Sequence, residues 1–224
     1  MPQVGVSAAT DEPAARPGDD TSVEVQAVQG RDPNGVEAER SPIDWHPSRA
    51  IGEPDDGRLV NGVQLPAAGA DYVTWDPIRK QRPNRGWRRW GTDHLLQVFL
   101  RVAHRFRAVH RAAPRLLVGD ISRRQGGDFG PQFGGVGHAS HQNGLDIDVY
   151  YPRLDRRLRA PTRVDQIDLR LAQALVHAFV AVGPQYVFVG PNTGLVGPPK
   201  IVQPLPLHDD HMHVRLYNPL GSAP

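Results

Sequence analysis

Two short segments about 70 residues apart concentrate histidine and aspartate: Gly-His-Ala-Ser-His-Gln-Asn-Gly-Leu-Asp-Ile-Asp at 137–148 and His-Asp-Asp-His-Met-His-Val-Arg at 208–215. Five of the ten histidines, His138, His141, His208, His211 and His213, fall in these 20 positions. Imidazole and carboxylate are ligand types for zinc and related divalent ions. The sequence has no cysteine, which excludes disulfides, thiolate metal sites and cysteine nucleophiles. A metal centre in this chain must therefore be built from His, Asp, Glu and water. Ser140 lacks the Gly-x-Ser-x-Gly surroundings of a nucleophile elbow and reads as a turn hydrogen-bonder.

Side chains alternate across a strand, and both segments read as strands. Over Leu145–Tyr151, Leu145, Ile147 and Val149 share one face, and Asp146, Asp148 and Tyr150 the other. Over His211–Tyr217, Met212, Val214 and Leu216 oppose His211, His213, Arg215 and Tyr217. If the two strands are neighbours, Asp148 and His213 converge across the sheet. His141 joins them from the preceding loop, with Gly144 permitting the turn. Three ligands, His141, Asp148 and His213, leave a fourth position for water, the arrangement of a catalytic zinc. His211 lies roughly 6–7 Å along the strand from His213, beside that water rather than on the ion. Asp146 reads as a carboxylate orienting a ligand histidine. Arg215 has two readings, a salt bridge to an aspartate such as Asp146 or a contact to a substrate carboxylate. The competing reading of the histidines, ordinary core or surface hydrogen-bonders, suits a lone His better than two clusters with matching faces.

The elements that must position these residues are legible around them. The clearest helix runs from an N-cap at Thr92 or Asp93 to about His110, with Leu95, Leu96, Phe99, Val102, Ala103, Phe106 and Val109 at helical spacing. Arg115–Ser122 reads as a buried strand followed by a Gly-rich loop. A second helix is expected over roughly Asp165–Val182, a short strand over Tyr186–Val189, a Pro/Gly-rich loop over Gly190–Leu207 and a last strand over Met212–Leu216. Upstream, residues 51–66 read as turn, short strand, Asn-Gly turn and extended segment, and Thr74–Trp90 as irregular. The pattern predicts an α+β fold with a mostly antiparallel sheet and at least two helices.

Residues 1–40 are rich in Pro, Gly, Asp, Glu and Ala and carry few large apolar side chains, which predicts a disordered acidic segment. The folded domain is expected over 41–224. The net charge of +2 combines this acidic segment with a basic remainder, whose cations are almost all arginine: Lys80 and Lys200 are the only lysines. A basic domain suits an anionic partner, although an Arg-favouring composition produces the same excess, and no nucleic-acid motif accompanies it. No apolar run reaches the ~18–20 residues of a membrane span. The start, Met-Pro-Gln-Val-Gly-Val-Ser, has neither the basic nor the apolar region of a signal peptide.

His141-x6-Asp148 followed by His211-x-His213 resembles the LAS metallopeptidases, the group of lysostaphin-type enzymes, D-alanyl-D-alanine peptidases and the hedgehog signalling domain. The two extended strings look more narrowly like the penicillin-insensitive murein endopeptidase family. Ser-Arg-Ala-Ile-Gly-Glu-Pro-Asp-Asp-Gly-Arg-Leu (48–59) and Leu-Val-Gly-Asp-Ile-Ser (117–122) are similar to it too, so the resemblance covers roughly 48–218. It implies a LAS-type metallopeptidase fold with Zn2+ on His141, Asp148 and His213. It implies His211 as general base or transition-state stabiliser, with His208 supporting the tetrahedral intermediate. It leaves His138 as an additional ligand or a pocket wall. It also implies peptidoglycan stem peptides as substrate, cut at the D-alanyl–meso-diaminopimelyl cross-link, and a periplasmic or cell-wall location. A D,D-carboxypeptidase or dipeptidase on the same site is one alternative; a catalytically silent zinc-containing cell-wall-binding module is the other. The chain departs from the family in lacking a recognisable signal peptide, in having no cysteine where some relatives are disulfide-stapled, and in ending about 10 residues after the His-x-His strand.

Overall fold

In the computed structural model, residues 42–130, 133, 139–219 and 221 are described. The expectation of disorder over 1–40 and the position of His138 lie outside them. In chain order the elements are β1 (Arg49–Gly52), β2 (Gly57–Val60), β3 (Val63–Gln64), β4 (Tyr72–Thr74), β5 (Trp90–Gly91), α1 (Asp93–Val109), β6 (Leu116–Val118), β7 (Asp146–Tyr150), α2 (Leu169–Val180), β8 (Tyr186–Val189), β9 (Val202–Pro204) and β10 (His211–Arg215). Short 3-10 turns occupy Gly86–Arg88 and Val164–Gln166.

A six-stranded sheet in the order β4-β6-β7-β10-β8-β9 carries the fold. Its three central pairings, β6 with β7, β7 with β10 and β10 with β8, are antiparallel. The two edge pairings, β4 with β6 and β8 with β9, are parallel. The α+β expectation with a mostly antiparallel sheet holds. The alternation read from the sequence divides the sheet as expected: Ile147, Val149, Met212 and Val214 face the helices and are wholly buried. Against them pack Leu95, Leu96, Phe99, Val102 and Phe106 of α1, with Leu171, Leu175, Val176 and Phe179 of α2. Each such side chain contributes about 1.5–3 kcal/mol of burial.

The cap of α1 is Thr92, whose Oγ1 accepts from Leu95 N at 3.1 Å, and the helix ends where expected. The second helix differs from its expected start. Val164–Gln166 forms a separate 3-10 turn, Ile167 is extended and bridges to Arg153, and Asp168 rather than Asp165 caps α2 by accepting from Leu171 N. A strand, β9, lies within the segment read as loop; its pairing with β8 is a long-range contact that the Pro/Gly content concealed. Arg115–Ser122 is strand only over Leu116–Val118, because the chain then bulges: Gly119 N donates to Asp148 O (2.8 Å) while Asp148 N donates to Asp120 O (2.9 Å), so two residues oppose one. A Cβ at Gly119 would lie 3.0 Å from Asp148 Cβ, which is why glycine stands there.

The β1–β2 hairpin grips the loop that enters β7. Gln142 N donates to Pro54 O (3.0 Å), Gln142 Nε2 to Asp55 O (2.7 Å) and Asn143 Nδ2 to Gly52 O (3.2 Å). No helix among the described residues is long and apolar enough to cross a membrane.

Candidate metal centre

On the sheet face away from the helices, β7 and β10 set Asp148 directly opposite His213, Asp146 opposite Arg215 and Tyr150 opposite His211. His141 enters from the loop before β7. Its backbone takes a left-handed φ of +71°, and Gly144 follows at +77°. For a non-glycine residue that conformation costs about 1–2 kcal/mol, and side chains hold it in place. His141 N donates to Asp146 Oδ2 at 3.0 Å, and its Nδ1 donates to the Ile121 carbonyl at 2.7 Å. With the proton on Nδ1, Nε2 carries the lone pair and lies 3.4 Å from Asp148 Oδ1. His213 Nδ1 lies 3.1 Å from the same oxygen. One ligand atom from each of His141, Asp148 and His213 thus falls within 4.8 Å of the others. All three residues are at most 5% exposed.

The electrostatics suit a cation. Burial pushes the Asp148 carboxyl up, but the neighbouring His141 and His211 outweigh it and hold it well below the usual carboxylate range. Asp146, equally buried, is also held low, chiefly by His213 and with help from Arg215. Burial pulls His213 down, yet Asp146 and Asp148 raise it to about 9. Two ionised carboxylates around two imidazoles form a pocket where a divalent ion can replace a bound proton. The donor set therefore fits a metal ion: two imidazoles and a carboxylate converge, and the far side of each histidine is already engaged.

Asp146 provides that engagement for His213. Its Oδ1 lies 3.0 Å from His213 Nε2, a Coulombic contact lacking hydrogen-bond alignment. The same carboxylate receives Arg215 Nε at 2.8 Å and Nη2 at 3.4 Å, so of the two readings of Arg215 the structure has the salt bridge. His211 stands next to the cluster, its Nε2 3.8 Å from Asp148 Oδ1 and its Nδ1 2.6 Å from Asp210 Oδ1. Burial lowers its pKa, but Asp148 and Asp210 reverse the sign and the net shift is upward. His208 lies tilted against His211 with ring centroids 4.7 Å apart, its Nδ1 donating to Pro206 O at 2.8 Å, and burial lowers its pKa. Asp146, Asp148, His141, His208, His211, His213 and Arg215 are thus brought together in space.

The sequence reading missed what lies behind the ligands. Asp120 and Arg88, both fully buried, form a two-pronged ion pair, and Asn84 Nδ2 donates to Asp120 Oδ1 (3.0 Å) and to Gly119 O (2.9 Å). The one available signal was an aspartate inside the apolar run Leu-Leu-Val-Gly-Asp-Ile; Arg88, in a stretch read as irregular, had none. A cleft of about 870 Å³ lies elsewhere, lined by His46, Gln64, Arg89, Trp90 and Arg124 among others, and none of the site residues reaches it.

Fold and side chains together define an α+β protein with a buried His-Asp-His group that could hold a metal ion and a further imidazole beside it. The chain belongs to the penicillin-insensitive murein endopeptidase family, whose model matches residues 50–178. It is 34% identical over 121 residues to the penicillin-insensitive murein endopeptidase of Haemophilus influenzae, covering 49% of this chain and 37% of that protein. With the Yersinia enterocolitica protein of the same name it shares 31% over 102 residues, 46% of this chain and 32% of the relative. With that of Salmonella paratyphi B it shares 30% over 129 residues, 57% and 39%. The chain thus matches between about a third and two-fifths of each relative's length. The family match contains His141 and Asp148, whereas His208, His211 and His213 lie beyond it, so the second cluster is joined to the first by the geometry of β10.

Proposed function

We propose that residues 41–224 form a zinc-dependent murein endopeptidase domain that hydrolyses D-alanyl–meso-diaminopimelyl cross-links of peptidoglycan, acting in the periplasm or at the cell wall. The observation that carries this reading is the convergence of His141, Asp148 and His213 on one point in a chain of this family. His141 Nε2, Asp148 Oδ1 and His213 Nδ1 would hold the ion. When bound, it supplies Lewis acidity, easing deprotonation of water and polarising the scissile carbonyl.

The chain's own groups do the rest. His211, oriented by Asp210, receives the proton of the attacking water at Nε2 and passes it to the departing amine. His208, beside His211, supports the tetrahedral intermediate, donating from Nε2 to the oxyanion only in its doubly protonated form, since its Nδ1 proton is held by Pro206 O. Asp146 keeps His213 turned to the ion. Endopeptidase rather than carboxypeptidase action is favoured by Arg215. Arg215, the arginine of β10 on the site face, is already bound to Asp146 rather than placed to anchor a substrate's terminal carboxylate.

The test combines metal analysis with digestion of cross-linked muropeptides followed by mass spectrometry. Wild type is expected to hold zinc and release new peptide ends. His213→Ala is expected to lose zinc, and His211→Ala to keep zinc but lose activity. Full activity in both variants would overturn the assignment. Metal without any cleavage by wild type would favour a silent binding module.

A further inference from the structure

We infer that the buried Arg88–Asp120 ion pair is a positioning pair for the metal centre, fixing the backbone that aims His141 and Asp148. The inference rests on the metal reading above and deepens it. Both side chains act through the segment Gly119–Ile121, which is held from four directions. Asp120 receives Arg88 Nε at 2.6 Å and a second bond from Arg88 Nη2. Arg88 also grips with its main chain, whose carbonyl accepts from Ile121 N at 3.0 Å. Asn84 ties down the Gly119 carbonyl and the Asp120 carboxylate. On the other side, Gly119 and Asp120 exchange backbone bonds with the single residue Asp148.

Two consequences reach the ligands. The bulge fixes where the Asp148 backbone stands, and hence its carboxylate. The Ile121 carbonyl, set one residue beyond the ion pair, accepts from His141 Nδ1 at 2.7 Å and so selects the tautomer whose Nε2 lone pair can bind metal. A stabilising role alone does not account for such a pair. Both partners are 0% exposed, and desolvation commonly cancels the gain of a buried salt bridge, so apolar replacements of similar volume are often neutral. What apolar side chains cannot do is pin a two-residue bulge at one position relative to β7.

The test uses the full chain, prepared metal-free, and reads metal affinity and the visible spectrum of the Co2+-loaded protein, neither of which needs substrate. The double variant Arg88→Met/Asp120→Leu removes both charges together and leaves no lone buried ion. We expect it to melt close to wild type when metal-free, to bind Zn2+ and Co2+ about 10–100-fold more weakly, and to show a changed Co2+ spectrum. A folded double variant with wild-type affinity and spectrum overturns the inference. Should that variant fail to fold, Arg88→Lys carries the same measurement: it keeps the charge, loses the two-pronged geometry, and is expected to lose several-fold in affinity, with no loss again overturning the inference. Failure of wild type itself to bind either ion would instead overturn the metal reading, and the wild-type arm reports that separately.

Discussion

Asp146 serves three partners with one carboxylate: the His141 amide, the His213 ring and the Arg215 guanidinium. Its neutral isostere keeps the shape but not the charge. Asp146→Asn is expected to weaken metal binding about 10–100-fold, measured by competition with a chelating indicator. It should also cost about 1–3 kcal/mol of stability, because Arg215 loses its anion in a largely buried setting, read by denaturant unfolding. Unchanged affinity would show that His213 needs no such partner. The convergence of Asp148 and His213 was legible in the sequence, since strand alternation alone put them on compatible faces and the structure sets them opposite each other. Asp120 and Arg88 were not. Residues 32 apart in sequence that meet only after folding leave no local periodicity, and a buried arginine among tryptophans looks like any other arginine.

Helix caps and the bulge make separable contributions. Thr92 caps α1 and also bonds the loop that carries His141, its N and Oγ1 both donating to Gly144 O (2.9 and 3.3 Å). Asp168 caps α2 without contacting that loop. Thr92→Ala and Asp168→Ala should each cost about 1 kcal/mol by urea unfolding, but only the first should also lower metal affinity. Equal effects on affinity would refute the coupling of α1 to the loop. Gly119→Ala forces a methyl against Asp148 Cβ and Tyr150 Cε2, each 3.0 Å from the new atom. It should lose about 1–3 kcal/mol and broaden the Co2+ spectrum. α1 and β8 were legible to within a residue or so because their apolar spacing is local. The start of α2 was misplaced because Asp165 and Asp168 are both plausible caps, and the Arg153–Ile167 bridge decides between them. The strand Val202–Pro204 was hidden because its partner, not its composition, makes it a strand.

Taken together, the elements bring ligands from two distant parts of the chain into one buried point, so an ion there would act as a cross-link. Binding only to the folded state at 100 times its dissociation constant adds about 2.7 kcal/mol, which for a domain of this size corresponds to roughly 5–10 °C in melting temperature. Stripping the ion with a chelator should lower the melting temperature of wild type by that amount and leave His213→Ala unmoved; an equal shift in the variant would mean the ion sits elsewhere. The central antiparallel strands followed from the sequence, while the parallel edges did not, because strand direction at an edge is set by crossovers of the whole chain.

The pairing of β7 with β10 makes the chemistry of this protein a matter of odd and even. Every polar group of β10 that faces the centre, His211, His213 and Arg215, carries an odd number, and every residue facing the helices, Met212 and Val214, an even one. Removing one residue from within the strand would exchange the two sets, turning methionine and valine toward the aspartates and histidines into the core. Removing one from the preceding turn-rich segment would leave the sets as they are. Single-residue deletions in the turn at 205–207, between β9 and the second histidine cluster, should therefore leave folding and metal binding in place, whereas deletions at 211–214 should abolish both.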